Sequence, residues 1–138
     1  GAHLGDLAHV QDHAADQLHV VVAHAEHALG GFTAVHQFCQ IGAHSLTSMF
    51  SYVTMDVAAY VIASGRPAVA RGINVEGLKR RGFTAEQMRN LKAAYKTVYR
   101  EALKLDEAVA LLEPRTADAP ELRVFVDSLR AGSRGLAR

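Results

Sequence analysis

The chain has 138 residues and a formal net charge of +1, yet residues 1–60 contain no Lys or Arg, five acidic residues and all eight histidines, while residues 61–138 hold fifteen basic and nine acidic residues. An apolar content of 49% excludes a disordered chain. The lone Cys39 excludes an intramolecular disulfide framework and a Cys-based zinc site, and fits a reducing compartment. The longest apolar run, residues 57–63, is far short of the ~20 residues of a membrane-spanning helix, and no basic segment precedes an apolar run as in a signal peptide. The length admits one ordinary domain or two small ones sharing a core. The charge division predicts two differently built regions, the second facing a charged partner.

Two periods compete at the start of the chain. Leu7, Val10, Ala14, Leu18, Val21, Ala25 and Leu29 are spaced by three and four with Gly30-Gly31 behind them, which describes a helix over residues 7–29 ending in a glycine cap. Leu4, Val10 and Val22 instead keep a six-residue period, broken by Asp16 and by one extra residue before Leu29. From there the six-residue period is clear: Val35, Ile41, Thr47 and Val53 follow one another. Leu29-Gly-Gly-Phe-Thr-Ala and Ile41-Gly-Ala-His-Ser-Leu fit a hexapeptide of aliphatic, small, two free, small and free positions. Three such units make one triangular coil of a parallel β-helix with the aliphatic residues stacked inward.

The second half reads as helices. Residues 74–81 predict a short one before Gly82. Thr84 with Gln87 forms a capping box, and Met88, Leu91, Tyr95, Val98 and Ala102 continue behind it as an apolar stripe. Arg89, Lys92, Lys96 and Arg100 share another face as a basic ridge. Leu105, Val109 and Leu112 mark a shorter helix stopped at Pro114. Asp118 and Pro120 start the last, which carries Leu122, Phe125, Val126 and Leu129 and ends at Gly132.

Residues 30–138 resemble the UDP-N-acetylglucosamine O-acyltransferases that open lipid A biosynthesis. The resemblance is carried by Gly-Gly-Phe-Thr-Ala-Val-His-Gln-Phe-Cys-Gln-Ile-Gly-Ala-His (30–44), Tyr-Val-Ile-Ala (60–63), Asn-Val-Glu-Gly-Leu-Lys-Arg-Arg-Gly-Phe (74–83), Ala-Tyr-Lys-Thr-Val-Tyr-Arg (94–100) and Ser-Arg-Gly-Leu (133–136). It implies a mixed β and α chain: a short left-handed parallel β-helix over residues 1–72, then a C-terminal α-helical domain over 73–138. It also implies a cytoplasmic homotrimer with active sites between subunits, needing no cofactor and no metal. Family members are about twice as long, and the chain departs from their pattern at Ala58-Ala59, where they carry paired prolines, and at Gly65-Arg66-Pro67-Ala68, where they carry Gly-Asn-x-Ala.

The implied reaction moves a 3-hydroxyacyl group from acyl carrier protein to the 3-hydroxyl of UDP-N-acetylglucosamine. A histidine base takes the hydroxyl proton, which suits an imidazole because its pKa lies near working pH. Counting back two coils from His36 makes His3 the nearest candidate for that base, and His19 resembles a second active-site histidine one coil up. His36 and Gln37 resemble substrate contacts, and Asn74, Glu76, Arg80 and Arg81 resemble nucleotide-sugar contacts, with Arg forks suited to phosphate. Met49 falls where the family measures acyl-chain length, and a bulky side chain there implies a medium chain.

Several of these residues have a plainer alternative, and His3, His9, His13, His24 and His27 also read as exposed or partly exposed polar positions on coils. Residues 74–81 also fit a capped, charged surface helix, Met49 a gap-filler and Cys39 a buried thiol. The basic ridge is either a dock for acidic acyl carrier protein or a solvated face, and it lacks any recognised nucleic-acid motif. His9 and His13 would share a face with Asp12 or Asp16 nearby as metal ligands only if that stretch were helical. A non-catalytic module that binds nucleotide sugar or acyl carrier protein, or only trimerises, remains the alternative to the enzyme.

Overall fold

The computed structural model describes residues 7–11, 19–23 and 28–138, with side chains from Leu29 onward. Among these residues nine strands come first: β1 (Leu7–Gln11), β2 (His19–Ala23), β3 (Ala28–Leu29), β4 (Ala34–Val35), β5 (Cys39–Ile41), β6 (Leu46–Thr47), β7 (Tyr52–Val53), β8 (Val61–Gly65) and β9 (Ala68–Ile73). Four α-helices follow: α1 (Val75–Arg80), α2 (Ala85–Tyr99), α3 (Leu105–Leu112) and α4 (Glu121–Ala131), with a 3-10 segment, Glu113–Ala117, between the last two.

The six-residue period becomes a stack of three-sided coils. Strand β3 pairs in parallel with β6 (Ala28 with Leu46) and β4 with β7 (Ala34 with Tyr52), each 18 positions on. Strand β2 pairs in parallel with β5 at an offset of 19 (Val20 with Cys39), which accommodates the extra residue before Leu29. Val35, Ile41, Thr47 and Val53 all point into the stack and are buried.

Four successive turns close the sides. Thr33, Cys39, Ser45 and Ser51 each donate their backbone N–H to the carbonyl three residues back, all at 3.3 Å. The third residue of each turn, Phe32, Phe38, His44 and Phe50, has positive φ, as a type II turn requires. That conformation costs an L-residue about 1–2 kcal/mol. The turn hydrogen bonds offset part of it, and ring stacking along the rod returns about 0.5–1.5 kcal/mol per pair. Phe32 stacks on Phe50 at 5.3 Å, and His44 on Tyr60 at 5.6 Å. Coils approach closely where these turns begin: a Cβ on Gly42 would lie 2.3 Å from the backbone nitrogen of Ala59, and one on Gly30 would lie 2.4 Å from that of Met49.

Two segments depart from the sequence expectations. Residues 7–11 and 19–23 are extended, as the coil reading has it and the rival helix does not, but β1 pairs with β2 antiparallel (Leu7 with Ala23). Parallel stacking therefore begins at β2, and β1 is a hairpin arm instead of a coil side. Val20, Val21 and Val22 are β-branched and fit a strand better than a helix, whereas the alanines that suggested a helix fit either pattern. At the other end the coils stop short of residue 72. Strand β8 still stacks on β6 (Leu46 with Ile62), but the chain then folds back and β9 pairs with β8 antiparallel. This hairpin caps the sheet edge that another coil would have covered.

The first two helices begin where their signals lie, whereas the last starts behind Pro120 with Asp118 closing the 3-10 segment before it. Asn74 caps α1, and Thr84 with Gln87 makes the capping box of α2 in both directions, at 2.8 and 3.1 Å. Leu91, Tyr95 and Val98 are buried along α2, while Ala102 lies beyond its end, exposed and with positive φ. Pro114 ends α3 as an α-helix but not the winding of the chain, since it sits in the first turn of the 3-10 segment, where its missing N–H costs nothing. Leu122, Phe125, Val126 and Leu129 line the inner face of α4. They share one continuous core with Val35, Ile41, Val53 and Val61 of the coils, so the two regions are welded along a common apolar seam.

Two polar ties fix that seam. Ser128 on α4 accepts the backbone N–H of Ala59 at 2.9 Å, and the buried Tyr60 hydroxyl donates to the carbonyl of Glu121 at 3.1 Å. The final residues run back along the coils: Asp56 N–H donates to the Gly135 carbonyl and Ala137 N–H to the Asp56 carbonyl, at 2.7 and 2.8 Å.

Candidate functional site

His36 opens the second turn, with its backbone N–H on the Val53 carbonyl of the next coil at 2.7 Å. Its Nδ1 lies 3.2 Å from two groups of opposite character, the carbonyl of Gln37 and the guanidinium of Arg134. Gln37 follows, half-buried. Behind this corner the buried Asp56 carboxylate accepts the Gln40 N–H at 2.8 Å and the Arg134 N–H at 2.9 Å. Gly132 is tied to the same carboxylate, because a Cβ there would lie 2.4 Å from Oδ2. Cys39 is fully buried beside this group. Burial pushes its thiol up to about 11, the Asp56 charge pushes the same way, and Arg134 opposes both. Cys39 is accordingly a packed thiol and no nucleophile at neutral pH.

Asn74 governs a second corner. Its backbone N–H donates to the Tyr60 carbonyl at 2.8 Å and its Nδ2 to the His44 carbonyl at 3.1 Å, so it ties together the stacked turn residues of two coils. Its Oδ1 accepts from Gly77 N–H at 3.2 Å, and a Cβ on Gly77 would strike the Asn74 side chain at 2.4 Å, which explains the glycine of the Asn-Val-Glu-Gly run. Asn74 thus spends one amide hydrogen and one lone pair on structure and keeps one of each. Glu76 is exposed and pairs loosely with Lys79 at 3.9 Å, while Arg80 and Arg81 are exposed at the end of α1.

Met49 occupies a third corner, 62% exposed beside Gly30 and Gly31, with the Phe32–Phe50 stack next to it and Phe32 itself 82% exposed. His19 lies in β2 one position before Val20, the partner of Cys39, so its backbone runs beside the His36 corner of the adjacent coil. His3 lies outside the described residues, as do His13, His24 and His27; His9 is in strand β1, without the helical face that a metal pair with His13 needs. No group of three His, Cys, Asp or Glu side chains placed to hold a metal occurs among the described residues. None of their helices is long and apolar enough to cross a membrane. Arg89, Lys92 and Lys96 on α2 and Arg100 at its C-cap are all exposed.

The sequence-predicted residues therefore fall on three separate corners of one rod: His36 with Gln37, Asn74 with Glu76, Arg80 and Arg81, and Met49. Sequence reasoning missed the roles of Asp56 and Arg134. Their only sequence signal was the Ser-Arg-Gly-Leu run, since the contacts span 78 and 98 positions of chain.

Residues 56–137 match the family model of domain 2 of UDP-N-acetylglucosamine O-acyltransferase. The chain belongs to this family. The matched span includes Asn74, Glu76, Arg80, Arg81 and Arg134. Among curated relatives, the acyl-[acyl-carrier-protein]–UDP-N-acetylglucosamine O-acyltransferases of Ectopseudomonas mendocina and Thiobacillus denitrificans are 49% and 51% identical over 110 residues, 80% of this chain and 43% of theirs. Among solved structures, the UDP-N-acetylglucosamine O-acyltransferase (LpxA) of Moraxella catarrhalis shares the fold with a TM-score of 0.80 and 40% identity over 86% of this chain and 48% of that one. The Arabidopsis enzyme gives 0.79 and 32% over 86% and 44%. The chain spans less than half the length of the relatives it matches.

Proposed function

We propose that this chain serves the transfer of a 3-hydroxyacyl group from acyl carrier protein to the 3-hydroxyl of UDP-N-acetylglucosamine, in the cytoplasmic phase of lipid A biosynthesis. The observation that carries the reading is the family match over residues 56–137, which includes Asn74, Glu76, Arg80 and Arg81, spread from the N-cap to the C-cap of one short helix. Arg80 and Arg81 supply guanidinium forks for the diphosphate. The free hydrogen-bonding capacity of Asn74 and the Glu76 carboxylate suit ribose or base edges. His36 and Gln37 contact the sugar nucleotide from another corner. Met49 shortens the acyl groove, with Phe32 and Phe50 as its apolar wall.

In the reaction the sugar hydroxyl oxygen attacks the thioester carbonyl, forming the ester C–O bond as the C–S bond breaks. The hydroxyl proton passes to a histidine, for which His3 and His19 are the candidates, and then to the departing thiolate. A left-handed β-helix assembled as a homotrimer follows from the same reading. It is supported by the distribution of the binding residues over three corners, which neighbouring subunits can bring together although one chain cannot. Exposed aromatic and methionine side chains at those corners are the kind of patch that an assembly or an acyl chain covers. The basic ridge of α2 offers an acidic carrier protein a docking face.

The test is acyl transfer from 3-hydroxyacyl carrier protein to UDP-N-acetylglucosamine, run beside calorimetric binding of the nucleotide sugar. Turnover supports the enzyme; binding without turnover leaves a nucleotide-sugar module; absence of both refutes the reading. In an active assembly Met49→Gly lengthens the preferred acyl chain, and unchanged selectivity removes Met49 from the groove.

A further inference from the structure

The Ser-Arg-Gly-Leu run near the C-terminus has no part in the function proposed above, yet it reaches the candidate site. Its backbone is laid along the coils by Asp56, which receives the Arg134 N–H at 2.9 Å and pairs through its own main chain with Gly135 and Ala137. That docking carries the Arg134 guanidinium to Nδ1 of His36 at 3.2 Å, across 98 positions of sequence. The same Nδ1 lies 3.2 Å from the carbonyl oxygen of Gln37.

One ring nitrogen cannot satisfy both neighbours. A guanidinium has only donors, so a hydrogen bond from Arg134 needs a lone pair on Nδ1; a carbonyl has only lone pairs, so a bond to Gln37 needs a proton there. Tautomers are settled by such partners. The charged donor makes a bond roughly twice as strong as a neutral pair, and Asp56 holds the main chain of Arg134 in place. Among the described side chains, the titratable or charged groups around the imidazole are Arg134, the Asp56 carboxylate behind it and the buried Cys39 thiol.

We propose that Arg134 is a positioning residue that sets the tautomer of His36, keeping Nδ1 as an acceptor and the imidazole proton on Nε2. His36 then presents an N–H donor to its ligand and is not itself a proton acceptor at that edge. This consequence rests on the reading of His36 as a nucleotide-sugar contact, and assigns it to hydrogen bonding with a ligand oxygen while proton abstraction falls to another histidine. Without the guanidinium, Nδ1 takes the proton and donates to Gln37.

Long-range 1H–15N correlation spectra of the labelled chain read each imidazole nitrogen directly, with His36→Gln identifying the signals. They are recorded at mildly alkaline pH, above the usual histidine pKa of about 6.5. In the unaltered chain the Nε2–H form is expected to dominate. Arg134→Met shifts the population severalfold toward Nδ1–H, and Arg134→Lys, which still offers a charged donor, retains most of the Nε2–H form. Dominant Nδ1–H in the unaltered chain overturns the proposal even if the Met variant fails to fold, and so does an unchanged tautomer ratio in a folded Arg134→Met. Titration with UDP-N-acetylglucosamine is a separate arm: no response at His36 refutes its role as a nucleotide-sugar contact and leaves the tautomer result standing.

Discussion

Replacing Asp56 with alanine tests whether one buried carboxylate holds the C-terminal segment onto the coils. The carboxylate accepts two backbone N–H groups, from Gln40 at 2.8 Å and Arg134 at 2.9 Å. Hydrogen bonds to a charged group contribute about 1.5–3 kcal/mol each. Gln40 is half-buried and Arg134 exposed, so water can take over the second donor and only part of its bond is lost. The expected cost is therefore about 2–4 kcal/mol, the upper part of the ordinary range for single substitutions. Asp56→Asn keeps one acceptor oxygen but turns an amide NH2 toward the other donor, so it recovers at most half. Urea unfolding at fixed protein concentration measures this as a lower midpoint with an unchanged slope, about 1–2 M for a slope of about 2 kcal/mol/M. Amide exchange adds the location, with Arg134 and Ala137 losing protection first and Leu91 in α2 last. A midpoint shift worth less than about 0.5 kcal/mol, with Ala137 still protected, would refute the reasoning.

Three further outcomes follow from the packing and charge of particular residues. Gly42→Ala forces a methyl within 2.3 Å of the Ala59 backbone nitrogen, and separating the coils there costs about 1–3 kcal/mol or more; thermal unfolding at an unchanged midpoint would contradict the close approach. Cys39, fully buried with its thiol pushed up to about 11, is expected to resist a thiol reagent at pH 7 in the folded protein and to react fully in denaturant; rapid native labelling would mean that this corner is open. The Glu113 carboxyl is held below its usual range, first by its hydrogen bond from Arg123 and then by the charges of Arg123 and Arg130. A lowered folded pKa adds stability that is present above the unfolded value of about 4.3 and lost as pH falls through the folded one. Glu113→Gln should therefore flatten the acid limb of the stability–pH curve below about pH 4.3; an unchanged limb would show that the pair contributes nothing.

Local signals in the sequence were the readable ones. Thr84 and Gln87 act across a single turn, so their capping box was visible from spacing alone. The inward row of Val35, Ile41, Thr47 and Val53 was visible because every sixth residue repeats one chemical demand. Residues 7–29 were ambiguous because alanine satisfies both a helix stripe and a strand, and only pairing with β5 distinguishes them. The hairpin of β8 and β9 was hidden because its strands continue the apolar character of the coils, and nothing local reports that pairing turns antiparallel. The contact of Arg134 with His36 depends on Asp56 bringing the chain end back across the rod, and a relation of that length has no period to betray it. Of the candidate site, the residue types were legible; their distribution over three corners required the fold.

The coil repeat also limits how such a chain can change length. A deletion or insertion of 18 residues removes or adds a full circuit and returns every later side chain to its own face. A change of six keeps the inward row intact and so preserves burial, yet it rotates everything beyond it by one face. Inserted between residues 53 and 56, it would carry the partner of Gln40 and the docking edge for residues 134–137 away from the corner of His36. A length change tolerated by the core can thus still dissolve the polar assembly, and whole circuits are the natural quantum of variation along this rod.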